Sequence, residues 1–174
     1  MSFAARGSLI LALLVGAVPA SAADQPTLLG SSRDWTAYQA NSPDGKVCYA
    51  LSKPTAISPK KAARDPIFVL ISVWPSRNVR DELQVVPGYA YKEGEPVYAQ
   101  VGSTRTEFFT RNDGKAGSAW VKEVADEAAL VAAMRGGSTL TVSGVSKRGT
   151  RTTDTYSLSG IATALDRAHS ACGK

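Results

Sequence analysis

The chain predicts an all-β fold: a sandwich or barrel of about eight or nine short strands, with one short helix before the final hairpin and another at the C-terminus. Three observations carry this. Between residues 34 and 158, short stretches of β-branched and aromatic residues recur, divided by Gly, Pro, Asn and Asp. No strand–helix–strand rhythm of the kind that builds a parallel sheet is present. Helical spacing appears only near residue 130 and again beyond residue 160.

Taken in order, DWTAYQA (34–40) alternates, and after the turn NSPDGK so does VCYALSK (47–53). The segment 54–66, with three prolines and three basic residues, reads as a long solvent loop. IFVLISVW (67–74) is continuously apolar, which predicts a central strand covered on both faces, stopped by Pro75. ELQVVPGYAY (82–91) carries Pro87 and Gly88 and should be an edge or bulged strand. Two strands at 95–102 and 105–111, a turn at NDGKAG and a short strand SAWV (118–121) follow. DEAALVAAMRGG then opens with acidic residues, spaces Leu130, Val131 and Met134 for one face and closes on Gly136, predicting a helix of about nine residues. TLTVSGV (139–145) and TRTTDTYSL (150–158) flank SKRG as a hairpin. From Ile161 the spacing of Ile161, Leu165, Ala168 and Cys172 lays one apolar stripe along a helix.

The first 22 residues have the marks of a cleaved export signal: Arg6, an apolar run at 8–18 too short to span a bilayer, and ASA at 20–22. Cleavage after Ala22 would leave a flexible lead-in at 23–33 and one domain at 34–174. No later apolar stretch reaches transmembrane length. Losing Arg6 takes the 20 basic side chains to 19 against 15 acidic ones, a mildly basic surface without a run of like charge. That balance suits solubility, or attraction to anionic headgroups and envelope polymers. The expected location is the periplasm or the outer-membrane surface.

Cys48 and Cys172 are the two cysteines, 124 positions apart, and an oxidising compartment favours their pairing. The chain-entropy model gives such a cross-link about 5 kcal/mol as an upper estimate. The other reading is a free thiol activated by His169, three residues from Cys172.

Most catalytic sets are absent from the sequence. There is one histidine and no C-x-x-C, which argues against zinc, and no nucleophile elbow, P-loop or dinucleotide fingerprint occurs. No basic stripe interleaved with aromatics suggests nucleic acid. No metal or cofactor is expected. In TTDTYSL, period two sets Asp154, Tyr156 and Leu158 on the core face. An inward Asp154 needs backbone N–H groups or an arginine to satisfy it, a structural anchor, or else acts as an acid or base. His169 falls near a helix C-terminus, beside the stripe, as a capping or surface residue with Asp166 as local partner. A hydrolase using Asp154 and His169 would need both to meet around an oxyanion hole, and nothing in the sequence supplies one.

DWTAYQ…KVCYALSKP, GYAYKEGEPVYAQVG, FFTRNDGKAGSAWV, LVAAMRGGSTLTVSGVSKRGT and TTDTYSLSG, in that order, resemble the invasion-associated locus B family of Gram-negative bacteria, over residues 34–172. The resemblance implies an immunoglobulin-like β-sandwich, export to the periplasm or outer membrane, and a link to host-cell invasion. It implies no catalytic residues. Many members carry a further cysteine shortly after the Trp of the first strand, where this chain reads WTAYQ, so Cys48 is left to Cys172.

The leading expectation is therefore an exported, non-enzymatic protein acting through contacts with an unidentified protein or envelope surface. Its candidate contact residues are Lys60, Lys61 and Arg64 in the long loop, Arg77 and Arg80 after the central strand, and Lys147, Arg148 and Arg151 at the hairpin tip. The alternative is a periplasmic glycan or small-molecule binding module with a pocket lined by Trp74, Tyr89, Tyr91 or Trp120.

Overall fold

The computed structural model describes residues 25–60 and 62–173; the expected export signal and Lys61 lie outside them. In chain order the elements are β1 (Thr27–Ser32), β2 (Trp35–Ser42), β3 (Gly45–Ser52), β4 (Ala56–Ser58), β5 (Phe68–Trp74), a 3₁₀ turn (Pro75–Arg77), β6 (Val79–Val86), β7 (Val97–Val101), β8 (Thr104–Asp113), β9 (Ala116–Val121), α1 (Val124–Gly136), β10 (Thr139–Val145), β11 (Arg151–Ser157) and α2 (Ile161–Cys172). The strands join in one antiparallel sheet ordered β1-β2-β3-β5-β6-β9-β8-β7-β10-β11-β4.

Period two keeps one face of this sheet apolar along its length. Ala50 lies opposite Ala37 and Ile71, Ile71 opposite Leu83, Val85 opposite Ala119, and Val142 opposite Ala99, all buried. An apolar face of that width cannot stay flat in water, so the sheet curls until it meets itself. Trp35 on β2 is fully buried, and its indole Nε1–H donates to the Ser157 carbonyl of β11 at 2.9 Å. The Asp34 N–H adds a bond to the Ser159 carbonyl at 3.2 Å. These bonds tie the second strand of the order to the tenth, giving an all-β, sandwich-like fold around a main buried cluster.

Two strands exceed the expected number. β1 occupies what reads as a flexible lead-in, and β4 sits inside the expected solvent loop, paired with β11 through Ile57 opposite Asp154. Neither advertises itself: β1 buries none of its six residues fully, and β4 has three residues. β5 is central, between β3 and β6, fully covered on its inner face and partly on the other, where Ser72 is buried. Val69, Ile71 and Val73 are fully buried, while Phe68, Leu70 and Trp74 opposite are half-buried. β6 is an interior strand that stops at Val86, before Pro87, so the proline marks its end and not an edge. Gly88 follows with φ +72°, where a Cβ would collide with the Asp65 carbonyl.

α1 runs 13 residues and starts ahead of its acidic pair. Its expected glycine cap is not left-handed: Gly136 is helical and Gly137 is extended, with no room for a Cβ beside Val101 and the Ala133 carbonyl. α2 packs across β1, β2, β3 and β5, burying Ile161, Ala164, Leu165, Ala168 and Cys172. Its last turn brings Cys172 to Cys48 on the inner face of β3, and the two form a disulfide with Cα atoms 5.9 Å apart. Val73 and Ala168 pack around it. Among the described residues, no helix is long and apolar enough to cross a membrane.

Candidate functional site

Asp154 points inward between Thr152 and Tyr156, as the period of β11 requires. Its partner is Arg64 from the 54–66 segment. Nη1 and Nη2 donate to Oδ1 and Oδ2 at 2.7 and 2.6 Å, a bidentate pair, and Nε donates to the Pro87 carbonyl at 2.8 Å. Both side chains are 3% exposed. Burial alone would lower the arginine's pKa; the bond to Asp154 and its charge outweigh that and raise it. Arg64 also lies over the Tyr89 ring at 4.9 Å, and the Tyr89 hydroxyl pairs with Thr152 Oγ1 at 2.5 Å. Tyr91 stands edge-on to Tyr89. The Tyr91 and Tyr156 hydroxyls are buried without a hydrogen-bond partner among the described residues, and burial pushes both phenols well up. Arg64 thus leaves the expected contact surface and becomes an internal clamp that straps its loop onto β11.

His169 is likewise buried and not a surface cap. Its Nε2 meets Asp81 Oδ1 at 2.7 Å, and its Nδ1 lies 3.2 Å from Arg80 Nη2. A guanidinium only donates, so Nδ1 accepts and Nε2 carries the proton towards Asp81. Asp166, the expected partner, instead takes Arg135 of α1 at 2.6 Å, joining the two helices. Asp154 is held by Arg64 and His169 by Asp81, so the two do not form a relay. Asp81 was legible in principle: a strand begun at Val79 puts Asp81, Leu83 and Val85 on one face. Nothing in the sequence pattern singles out Arg64 as the residue that reaches Asp154.

The remaining cations fall in separate places. Arg77 pairs with Glu82 at 3.2 Å and lies over the Trp74 ring at 5.3 Å, and Arg80 sits by His169. Lys60 and Arg151 are exposed. Lys147 and Arg148, in the β10–β11 turn, converge with Lys115 of the β8–β9 turn around an open cleft of about 590 Å³. Its walls include Arg64, Asp65, Tyr89 and Ser146. All three cations are exposed, and none lies within ion-pair distance of a carboxylate among the described residues. Lys115 reaches this cleft through the fold, without a signal in its own stretch of sequence.

The expected aromatic pocket divides. Tyr89 and Tyr91 are buried inside, whereas Trp74 and Trp120 lie on the outer face. There the Trp74 indole N–H donates to Glu82 at 3.0 Å, and Trp120 stacks on Phe109 with centroids 5.8 Å apart. No group of three or more His, Cys, Asp or Glu side chains placed to hold a metal occurs among the described residues.

The model of the invasion associated locus B protein family matches residues 35–169, most of the chain. The chain belongs to the invasion associated locus B family. Its fold is similar to the crystal structure of invasion associated protein B from Bartonella henselae, with a TM-score of 0.58 at 17% identity over 83% of this chain and 97% of that one. At that identity the likeness speaks for the fold. Among curated proteins none matches. The locus B match runs from β2 into α2, and covers the cationic cleft, the Arg64–Asp154 clamp and Cys48; it stops before Cys172.

Proposed function

We propose that this locus B protein is an exported, non-enzymatic envelope or surface protein that binds an acidic partner through the cleft at the β8–β9 and β10–β11 turns. One observation carries the reading: Lys115, Lys147 and Arg148 come together from two turns, exposed and without carboxylate partners. Unpaired cations around a concavity repel one another and gain most when an anion lies between them. Asp65 on the wall makes the site selective, favouring a shaped acidic surface over a bare polyanion. Support for export comes from the N-terminal signal pattern and the disulfide, which suits an oxidising compartment. Support for a contact role comes from the family and from its relative's description as invasion associated.

The test is fractionation of cells making the full chain, with crosslinking and affinity capture, beside a K115E/K147E/R148E variant. Recovery of the protein with the periplasm or outer membrane, and a partner captured by wild type but not by the variant, is the expected result. Cytoplasmic retention would refute export, and equal capture by both proteins would remove the cleft.

A further inference from the structure

The outer face of β6, β9 and β8 carries a second cleft, of about 340 Å³, that shares no residue with the first. Register builds its floor. Phe109 on β8 lies directly opposite Trp120 on β9, and their rings stack at 5.8 Å and 23°. Phe109 is 39% exposed in mid-strand, one of three large apolar side chains so exposed among the described residues. With Trp120 beneath it, the ring forms a stacked aromatic surface that reaches solvent.

The walls are planar polar groups, of which Glu82, Arg77 and Glu127 are already hydrogen-bonded. Glu82 accepts from the Trp74 indole at 3.0 Å and from Arg77 at 3.2 Å, and Arg77 lies over Trp74. Arg111 stands 5.9 Å from the Phe109 ring. Glu127 closes one end, with one carboxylate oxygen taking the Leu83 N–H at 2.7 Å. Side chains fixed by such contacts lose little freedom when a ligand arrives.

We propose that this cleft binds a neutral sugar unit. The axial C–H face of a pyranose is apolar and matches an exposed aromatic ring, while its rim of hydroxyls matches guanidinium and carboxylate groups. Glu82 and Glu127 face Arg77 and Arg111 across the site, so a phosphate or acidic chain would meet carboxylates as well as guanidinium groups. Its volume lies at the small end of ligand sites, which run from about 300 to 1,000 Å³, and suits one or two rings. The site is independent of the cationic cleft, and the two readings can fail separately.

The experiment titrates maltotetraose, cellotetraose and the tetramer of N-acetylglucosamine into the full-length protein, following tryptophan emission. Trp120 reports on this cleft directly, whereas Trp35 is fully buried. At least one of the three is expected to give a saturable change. F109A and R111A, both at exposed positions, are expected to weaken it at least about tenfold, and K147E/R148E to leave it unchanged. The proposal is overturned by no saturable change with any of the three, by undiminished binding in R111A, or by a response that inorganic phosphate displaces. Should F109A fail to fold, R111A alone decides.

Discussion

A buried ion pair is expensive to assemble and more expensive to break, and Arg64–Asp154 is such a pair. Removing one partner strands a charge where water cannot reach it. Arg64→Met alone should therefore cost about 3–5 kcal/mol, while R64M/D154L, which removes both charges, should recover most of that loss. Urea unfolding of the three proteins checks it, and equal destabilisation of single and double variants would mean that packing, not charge, dominates. That Asp154 faces inward is legible in the alternation of TTDTYSL. That Arg64 answers it is not, because the pair spans 90 positions and one partner lies in a loop without periodicity. The same limit hid His169–Asp81: a side chain on the margin of a helical stripe can turn to solvent or to the sheet, and only the packing of α2 decides.

At the scale of elements, each helix is fastened to the sheet by a different chemistry. α1 is held partly by Glu127, whose carboxylate accepts the Leu83 N–H where the β6–β9 pairing begins only at Gln84. Burial, against that bond and with the nearby charges of Glu82 and Asp81, lifts its pKa to about 7. Because the folded value exceeds the unfolded one, the folded state holds this proton more tightly. Glu127 therefore costs stability progressively as pH rises from about 4.5 towards 7, and the cost levels off above that window. Glu127→Gln should keep the bond and flatten this part of the profile, read as thermal midpoints from pH 4 to 8; an unchanged slope would place the effect elsewhere. α2 is held by the disulfide. C48S/C172S should lose about 2–5 kcal/mol in urea unfolding, with frayed far-ultraviolet helix signal at the C-terminus. Both helices, the last hairpin and nine of the strands are legible from period and turn chemistry. β1 and β4 are not, since strands at the margins of a sheet gain order from a neighbour's unpaired backbone groups and need little apolar pattern of their own.

For the whole molecule, the curl of the sheet turns one apolar face into a core and leaves the other towards solvent. Trp35 helps to close that curl, so Trp35→Phe should cost about 1–3 kcal/mol by leaving the Ser157 carbonyl without its donor, again read from urea unfolding. Closure also gathers the β8–β9 and β10–β11 turns at one cleft, which is why a charge spread thinly along the sequence becomes a local cationic site. On this proposal the cleft, and not the protein's overall basic charge, makes the contact. The most direct measurement is the affinity of the purified chain for isolated envelopes over a range of salt, for wild type, K115E/K147E/R148E, and a control reversing the same number of charges at Lys53, Lys92 and Arg105. Wild type and control should bind alike and weaken as salt rises, while the cleft variant binds at least about tenfold more weakly with a shallower salt dependence. Equal loss in the cleft variant and the control would mean that overall charge, and not the cleft, makes the contact.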